Sequence, residues 1–537
     1  MQDAMTGQPA DSAEEALVDY YNAVPYESHP FPQSAVEHLE AIAFLFGLDA
    51  PAARTARVLE LGCAAGGNLI PFAARHPQSR CVGVDLSSVQ IGQGQHAIAR
   101  MGLGNIELQA MDLSEIDASF GQFDYIICHG VYSWVPAKVQ EAIMRICADN
   151  LAPDGVAYLS YNTYPGWKAR EIVRDAMILR GGPRDAPAEK LAYARGMLEF
   201  LATSARPGTV LQKALEENLP LVRAASSDYL LHEFLEPYNA PCYFKDLLAR
   251  AGVRGLTYLA EAELPNMFVQ NYDEQVREPL MRECAGGQIL MEQYLDFVAN
   301  RCFRQTLLVH QVRAAQIRYQ FQSERLLALE YAAPFVSAGV DVPPGAEPQI
   351  FTVARAQVSL QEPAQNVAAE LLGQAYPASM RATALVAEAA ARLGQPEAQV
   401  APLVVHFLGD IVIAGLVRYR RTPAQIGTLL SDFPRAPVDV RSAQGLPLHR
   451  GPEATACNLW HESIGVSPIE RTLLPLLDGS LSHEALAAHV ANEVRAGRLR
   501  FVKEGQLLVD EVLLDDFARQ QVAAALASLQ RTGFLLA

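Results

Sequence analysis

The first half of the chain predicts an α/β fold, a parallel sheet with helices on both faces, and the last third predicts a mainly helical region. Two observations carry this prediction. Short apolar runs alternate with segments of helical spacing from about residue 57 to residue 161. Farther along the chain, helical spacing dominates. Such alternation is typical of parallel sheets, because each crossover between parallel strands needs the length of a helix.

The elements of the predicted sheet follow one another along the chain. Residues 34–47 have helical spacing and end at Gly47, a residue that commonly stops a helix. The strands then span residues 57–61, 81–85, 106–111, 125–128 and 156–161, with helices at 67–75, 87–100 and 137–150. A helical stretch at about 165–235 and a helix at 244–251 precede two more strands, at 256–260 and 303–310. If these two strands join the same sheet, helical insertions at about 168–240 and 265–300 interrupt it.

The whole chain divides into four predicted regions. They are a tail with covering helices at 1–50, the α/β core and its regulatory middle region at 51–312, a linker with a connecting helix at 313–364, and a C-terminal helical domain at 365–537. Within that last domain, residues 371–420 repeat the order of helices, turn glycine and short apolar strand found at 473–536. The repeat predicts two winged-helix-like units. Chance similarity in an Ala- and Leu-rich sequence is the alternative.

Charge and cysteine usage narrow the functional classes. An acidic protein of net charge −17 repels phosphate backbones, so no nucleic acid is expected as a partner and basic polypeptide is favoured. Eight scattered cysteines without a CxxC pair are typical of free buried thiols in a reducing compartment. The N-terminus lacks an apolar signal core, and the apolar stretch 404–417 is short for a bilayer span. We therefore expect a cytoplasmic protein without membrane insertion, and its oligomeric state stays open, a dimer included.

The most informative motif is VLELGCAAGGN at residues 58–68. A buried strand carries Glu60, and a glycine-rich turn, Gly62-x-Ala64-x-Gly66, then opens a helix. Glycine lets the backbone turn tightly and approach a ligand closely. The N–H groups at the start of a helix attract an anionic or polar group. The motif therefore predicts a ligand site at the end of the first strand.

Acidic residues follow the next two strands as well. Asp85 comes about 20 residues after the turn, where a carboxylate accepts hydrogen bonds from ribose hydroxyls. Asp112 follows the third strand and is suited to accept from an adenine amino group, with Leu86 and Leu113 on either side of the ring. The tip of the fourth strand, residues 129–134, would face a sulfonium and a substrate. Four features in this order favour an S-adenosylmethionine site.

A dinucleotide-binding dehydrogenase is the main competing interpretation, because that fold also combines a glycine-rich turn with a later acidic residue. Two details disfavour it. The turn is preceded by Glu60 and reads Gly62-x-Ala64-x-Gly66, which is not GxGxxG. Asp112 also lies where methyltransferases bind adenine. Glycines that only cap a helix are the remaining alternative.

At these residues the sequence resembles class I methyltransferases that bear a methyltransferase regulatory domain, in particular the rickettsial protein-lysine methyltransferases that act on outer-membrane protein. The matching stretches, which cover roughly residues 17–312, are YNAVPYESHPF at 21–31, AFLFG at 43–47, 59–71, GVDLS at 83–87, 129–136, SYNTYPGW at 160–167, YLLHEFL at 229–235 and FRQTLL at 303–308. The resemblance implies a class I, Rossmann-like methyltransferase core with helical insertions. One position departs from the family: Ala64 replaces a glycine, and it fits if the backbone there keeps ordinary dihedral angles.

The resemblance also implies the cofactor, S-adenosyl-L-methionine, and the residues that bind it. These are Tyr21, Tyr26, Glu60, Gly62, Cys63, Ala64, Gly66, Asn68, Asp85, Leu86, Asp112, Leu113, His129 and Gly130. Glu60 and the turn would hold the methionine end and the ribose, Asp85 the ribose and Asp112 the adenine. His129 and Gly130 would lie under the sulfonium, and residues 20–26 would fold over the cofactor.

The acceptor channel is predicted among ring-bearing side chains near the strand ends. The candidates are His129, Tyr132, Trp134, Tyr161 and Trp167. Aromatic faces stabilise cationic sulfonium and methylammonium groups, and burial lowers the pKa of an acceptor lysine. A packing role is the alternative for each of these residues.

The activity that the sequence favours is methyl transfer to accessible lysine side chains of a protein substrate. A small-molecule O-, N- or C-methyltransferase is one alternative, and a catalytically silent, cofactor-binding regulator or scaffold is another. The segment HEFLE at residues 232–236 resembles a zinc-binding helix, but its fifth residue is glutamate where that motif has a second histidine. No metal site is predicted.

Overall fold

The structure is a computed structural model that describes residues 28–184, 186–338, 349–427, 429–442, 454–503, 506–507 and 511–537. Its centre is a sheet of seven strands: β1 (Arg57–Leu61), β2 (Arg80–Asp85), β3 (Ile106–Ala110), β4 (Phe123–Cys128), β5 (Leu151–Asn162), β6 (Leu256–Glu261) and β7 (Phe303–His310). The strands are arranged in the order β3-β2-β1-β4-β5-β7-β6. Strand β7 runs antiparallel to both of its neighbours, and the other pairs are parallel. The predicted α/β sheet is confirmed, and both late strands join it.

Helices surround this sheet and extend away from it. They are α1 (Val36–Leu45), α2 (Leu69–Arg75), α3 (Ser88–Met101), α4 (Ala137–Asp149), α5 (Trp167–Gly181), α6 (Pro187–Ser204), α7 (Val210–Ala224), α8 (Ser227–Phe234), α9 (Phe244–Val253), α10 (Glu274–Cys284) and α11 (Gln288–Val298). Helix α3 illustrates how local sequence sets the bounds. Ser87 accepts a hydrogen bond from the Gln90 N–H at its start, and Gly102 adopts the left-handed conformation at its end.

Two groups of helices interrupt the sheet, as the sequence predicted. Helices α5 to α8 lie between β5 and α9 in the chain, and they enclose an apolar core of their own that includes Val173, Met177, Leu198 and Phe234. Helices α10 and α11 lie between β6 and β7. The domain boundaries drawn from the sequence stay predictions.

A buried ionic cluster joins β7 to the second insertion. The guanidinium of Arg304 has no exposed surface, and its Nη1 donates to Glu261 at 2.8 Å and to Glu292 at 3.2 Å. Its Nη2 donates to Asp296 at 2.9 Å. Burial raises the pKa of Glu292 to about 7, although Arg304 opposes this rise. Glu261 and Glu292 share this one cation, whereas Asp296 also pairs with Arg301 at 3.1 Å, so loss of Arg304 would leave uncompensated buried charge at the two glutamates.

The C-terminal third adds small sheets and further helices. Its elements are α12 (Ser323–Leu327), β8 (Glu330–Ala332), β9 (Val336–Ser337), β10 (Gln349–Val353), β11 (Ala356–Leu360), α13 (Pro363–Ala375), β12 (Met380–Arg381), α14 (Ala382–Leu393), α15 (Glu397–Ile413), β13 (Arg418–Arg420), α16 (Val438–Arg441), β14 (Thr455–Cys457), β15 (Ser463–Gly465), α17 (Pro468–Leu473), α18 (His483–Arg495), β16 (Val502–Lys503), β17 (Gln506–Leu507) and α19 (Glu511–Arg531).

These elements form two units of similar order. In the first, helices α13, α14 and α15 precede β13, and β8 lies between β12 and β13 in a three-stranded sheet. In the second, helices α17, α18 and α19 precede Leu536, which pairs with Ile426. Residues 330–332, within the predicted linker region, form β8, whose pairing partners lie some 50 to 90 residues later in the chain.

The first C-terminal unit shares one continuous apolar core with the sheet, and the second unit has its own. Helix α1 lies inside the shared core, so nine of its ten residues are buried and it has no solvent face. All eight cysteines are free, and seven of them are buried. Among the residues that the structure describes, no helix is both long and apolar enough to span a bilayer.

Candidate functional site

The glycine-rich turn between β1 and α2 is held against β2 by backbone hydrogen bonds. The N–H groups of Gly62 and Cys63 donate to the Val84 carbonyl oxygen at 2.8 and 3.1 Å. Gly62 has a φ of +73° and Gly66 a φ of +78°, a region that glycine adopts without the steric cost of a Cβ. A Cβ on Gly62 would lie 2.3 Å from Val131 Cγ2. Position 62 therefore requires glycine both for its backbone conformation and for its contact with the segment after β4.

Ala64 overturns one expectation from the sequence. Its φ is +49°, which is left-handed and not the ordinary conformation that we expected for an alanine at this position. This conformation costs an L-residue about 1–2 kcal/mol. The Ala64 N–H donates to Asp85 Oδ2 at 2.8 Å, and this bond to a carboxylate holds the turn in place.

Asp85 ends β2 directly beside the turn. Its Oδ1 accepts from the Ser87 N–H at 2.9 Å, and its Oδ2 accepts from Ala64. Burial raises the pKa of the Asp85 carboxyl, and the two N–H groups oppose that rise. The Cys63 side chain is buried in the core, and its thiol donates to the Ala64 carbonyl oxygen at 3.6 Å.

Asp112 lies at the neighbouring strand end. Strands β2 and β3 pair in parallel up to Asp85, and Asp112 follows β3 by two residues. Asp112 Oδ1 accepts from the Ser114 N–H at 2.6 Å and so caps a short 3-10 turn. Leu86 is half-buried and Leu113 is buried. The structure thus brings together the two aspartates and two leucines that the sequence assigned to ribose and adenine.

Glu60 is buried in β1 next to the start of α2. Its Oε1 accepts from Asn68 Nδ2 at 2.8 Å, whereas its Oε2 has no hydrogen-bond partner among the described residues. Burial raises the pKa of Glu60 to about 8; Asn68 opposes this rise and the charge of Asp85 adds to it. Glu60 is therefore mostly protonated at neutral pH and keeps one oxygen for a ligand.

His129 follows β4 in an aromatic environment. Its Nδ1 lies 2.8 Å from the Tyr158 hydroxyl oxygen, and its ring stacks on Phe31 with centroids 3.8 Å apart. Phe303 contacts the same ring edge-on at 6.2 Å. Burial lowers the pKa of His129 to about 4, so the ring is neutral at neutral pH.

The backbone at Gly130 marks the open side of this arrangement. Gly130 is exposed with a φ of +68°, and its N–H donates to Ser160 Oγ at 2.7 Å. A Cβ built on Gly130 meets no atom of the described chain within 4 Å. The described residues therefore leave the backbone beside His129 uncovered.

The other predicted acceptor residues lie below this surface. They are Tyr132, Trp134, Tyr161 and Trp167, and all four are buried. The Tyr132 hydroxyl accepts from Arg250 at 3.2 Å, and the Tyr161 hydroxyl lies 3.2 Å from the Thr306 hydroxyl. The rings of Trp134 and Trp167 meet edge to face at 5.9 Å. These contacts fit packing, and an acceptor role for the four residues stays a prediction.

The N-terminal segment contributes contacts that sequence reasoning missed. Ser28 Oγ accepts from the Gly67 N–H at 2.7 Å, and the Phe31 N–H donates to Asn68 Oδ1 at 2.9 Å. Both residues belong to the family-like stretch at 21–31, which was the available signal. Tyr21 and Tyr26 lie outside the described residues.

The histidine of the HEFLE segment has a partner just beyond the C-terminal end of α8. His232 Nδ1 lies 3.0 Å from Glu236 Oε1, and both side chains are buried. In the described parts of the chain, no group of three or more His, Cys, Asp or Glu side chains is arranged to hold a metal ion.

Comparison with known families matches three parts of the chain. Residues 58–155 match a family described as a methyltransferase domain. Residues 226–310 match one described as a predicted methyltransferase regulatory domain, and residues 442–534 match one described as PKMT, C-terminal winged helix domain. The last of these covers the second C-terminal unit.

Related proteins occur in bacteria of several genera. The uncharacterized protein RP789 of Rickettsia prowazekii is 42% identical over 291 residues, which are 54% of this chain and 52% of that protein. A second protein of that organism, RP028, is 37% identical over 232 residues, which are 43% of this chain and 93% of the relative. A tRNA (guanine-N(7)-)-methyltransferase of Leifsonia xyli is 32% identical over 168 residues, 30% of this chain and 69% of that protein. The chain thus spans about half the length of the first of these relatives.

Solved structures extend the similarity to nearly the whole chain. PKMT2 from Rickettsia typhi has a TM-score of 0.86 at 27% identity, covering 95% of this chain and 100% of that chain. PKMT2 in complex with AdoHcy has a TM-score of 0.84 at 26% identity, covering 96% and 100%. The chain therefore belongs to the class I S-adenosylmethionine-dependent methyltransferases that carry a methyltransferase regulatory domain.

Proposed function

We propose that this protein transfers a methyl group from S-adenosylmethionine to lysine side chains of a polypeptide. One observation carries the proposal: the carboxyl ends of the parallel strands β1, β2 and β3 lie at one edge of the sheet beside the glycine-rich turn, with Glu60 in β1, Asp85 at the end of β2 and Asp112 two residues after β3. In an open α/β sheet, ligands bind at this edge of the strands.

The residues present fit the proposed cofactor. The Asp85 carboxylate suits ribose hydroxyls and the Asp112 carboxylate suits an adenine amino group, since both groups are hydrogen-bond donors. Glu60 Oε2 is buried without a partner among the described residues, and a polar group at the methionine end would satisfy it. The exposed backbone at Gly130 leaves room beside His129.

Bound S-adenosylmethionine supplies an electrophilic methyl group on a sulfonium, which leaves as a neutral thioether. The chain itself contributes alignment and the exclusion of water, which together can lower a barrier by several kcal/mol. A neutral His129 does not repel a nearby cation. The rings of Phe31 and Phe303 present apolar and aromatic surface at the same point.

A lysine acceptor attacks as the neutral amine. Its ammonium form must first release a proton to water, and burial against aromatic rings favours this release because desolvation lowers the pKa of an amine. The nitrogen–carbon bond then forms as the sulfur–carbon bond breaks. The secondary ammonium that results carries the positive charge that the sulfonium lost.

Three facts support a polypeptide over a metabolite or RNA. The chain resembles PKMT2 over almost its whole length, accessory regions included. Those regions supply contact surface that a small acceptor does not require. The net charge of −17 favours a basic polypeptide and disfavours RNA, although one relative is a tRNA methyltransferase.

A transfer assay tests the acceptor. The purified chain is incubated with S-adenosylmethionine carrying a radiolabelled methyl group and with a bacterial lysate, which is then separated into protein, RNA and metabolite fractions. We expect label in the protein fraction, recovered as methyl-lysine after acid hydrolysis. Label confined to RNA or metabolites would overturn the lysine acceptor, and cofactor binding without any transfer would favour a silent regulator.

A further inference from the structure

Asn68, beside the glycine-rich turn, joins β1 to the N-terminal segment and to the C-terminal region. Its Nδ2 donates to Glu60 Oε1 at 2.8 Å and to Ser34 Oγ at 3.1 Å. Its Oδ1 accepts from the Phe31 N–H at 2.9 Å and lies 2.8 Å from His461 Nε2. Asn68 is 5% exposed and His461 is 6% exposed, so water does not compete for these bonds.

The acceptor character of Asn68 Oδ1 fixes the tautomer of His461. Because Oδ1 can only accept, Nε2 of His461 carries the proton and donates it. Burial lowers the pKa of His461 to about 3, so the ring is neutral and Nδ1 keeps its lone pair. That Nδ1 lies 3.9 Å from the Cys457 thiol sulfur.

The turn that carries His461 is fixed both to the methyltransferase core and to the rest of the C-terminal region. Arg75 of α2 donates to the Cys457 and Asn458 carbonyl oxygens at 2.9 and 2.6 Å and pairs with buried Asp439 at 2.6 Å. Asn458 Oδ1 accepts from the backbone N–H groups of residues 460 and 462. His461 has a φ of +61°, a strained conformation that persists where surrounding contacts over-determine it.

We propose that His461 is a positioning residue for the cofactor, supplied by the C-terminal region. The His461 N–H, together with the Phe31 N–H, holds Oδ1 of the Asn68 carboxamide, so that Nδ2 faces Glu60. Glu60 is thereby oriented with Oε1 on Asn68, which leaves Oε2 for the cofactor. The inference rests on the proposed function, and it gives the C-terminal region a role in completing the cofactor site.

A direct test is calorimetric titration of the full chain with S-adenosylhomocysteine. His461→Leu replaces the donor with an apolar side chain. We expect the affinity for S-adenosylhomocysteine to fall about tenfold, equivalent to about 1.4 kcal/mol. His461→Gln retains an N–H donor of similar reach and should recover affinity to within about threefold of wild type. His489→Leu, at a half-exposed position on α18, is the matched control and should bind like wild type.

A double-mutant cycle separates positioning from a purely structural role. Asn68→Ala removes the group on which His461 acts, so His461→Leu in that background should weaken binding less than about twofold further. Thermal unfolding of each variant verifies the fold. Equal binding by His461→Leu and wild type, or equal losses in the Leu and Gln variants, would overturn the positioning role alone. Failure of the wild-type chain to bind would overturn the proposed function and this inference with it.

Discussion

Substitution of Gly62 by alanine isolates the steric requirement of the cofactor turn. Gly62 and Gly102 both have left-handed backbones, with φ of +73° and +67°, so alanine at either position costs about 1–2 kcal/mol in conformation. A Cβ on Gly62 also lies 2.3 Å from Val131 Cγ2, whereas one on Gly102 meets no described atom within 4 Å. Overpacking of this kind typically costs about 1–3 kcal/mol. Gly62→Ala should therefore destabilise its turn by about 1–3 kcal/mol more than Gly102→Ala does.

Hydrogen exchange of the turn, followed by mass spectrometry of peptides covering residues 58–66, measures this difference locally. Gly62→Ala should exchange about 5- to 150-fold faster than Gly102→Ala, because every 1.4 kcal/mol is a factor of ten. Affinity for S-adenosylhomocysteine should fall in Gly62→Ala and stay unchanged in Gly102→Ala. Equal exchange and equal affinity in the two variants would refute the reasoning, since the backbone strain is common to both.

Three further predictions concern strain and buried charge. Arg304→Met should destabilise the sheet domain by about 3–5 kcal/mol in urea unfolding, because it leaves buried Glu261 and Glu292 without their cation; an unchanged midpoint would contradict this. Ala64→Gly should raise stability by up to about 1 kcal/mol, since relief of the left-handed strain exceeds the entropy cost of glycine, and a loss would argue against strain. Burial raises the pKa of Glu60 from its ordinary 4.5 to about 8, so the unfolded chain loses this proton at a lower pH than the folded chain does. The free energy of unfolding of the wild-type chain should therefore fall as the pH rises from about 4.5 to about 8. The fall should reach about 1.4 kcal/mol per pH unit, and Glu60→Gln, which cannot ionise, should flatten it.

The sheet and the strand-end acids could be predicted because their signals are local. Glu60 and Asp85 each end or follow a short apolar run, and parallel pairing brings such ends to one edge of a sheet. Asp112 was found in the same way. The two helical insertions were predictable because the strands on either side of them are recognisable as strands.

Contacts between distant segments left no pattern in the sequence. Ala64 is left-handed because a carboxylate on another strand holds its N–H. His461 reaches Asn68 across 393 residues, and no periodicity marks such a pair. Helix α1 reads as a helix, but its burial on every side follows from packing between two domains. The sequence also could not tell a core position from a channel position for the four buried aromatic residues that were predicted to line the acceptor channel, because ring-bearing side chains suit both.

The most direct measurement compares two aspartates that cap similar turns. Asp112 Oδ1 accepts from the Ser114 N–H at 2.6 Å at the crevice, and Asp117 Oδ1 accepts from the Ser119 N–H at 2.8 Å at an exposed position outside it. In calorimetry with S-adenosylhomocysteine, Asp112→Ala should bind about 10- to 100-fold more weakly than wild type, since a charged hydrogen bond is lost. Asp117→Ala should bind like wild type. Equal affinities for the two variants would contradict the claim that the strand-end carboxylates form the cofactor site.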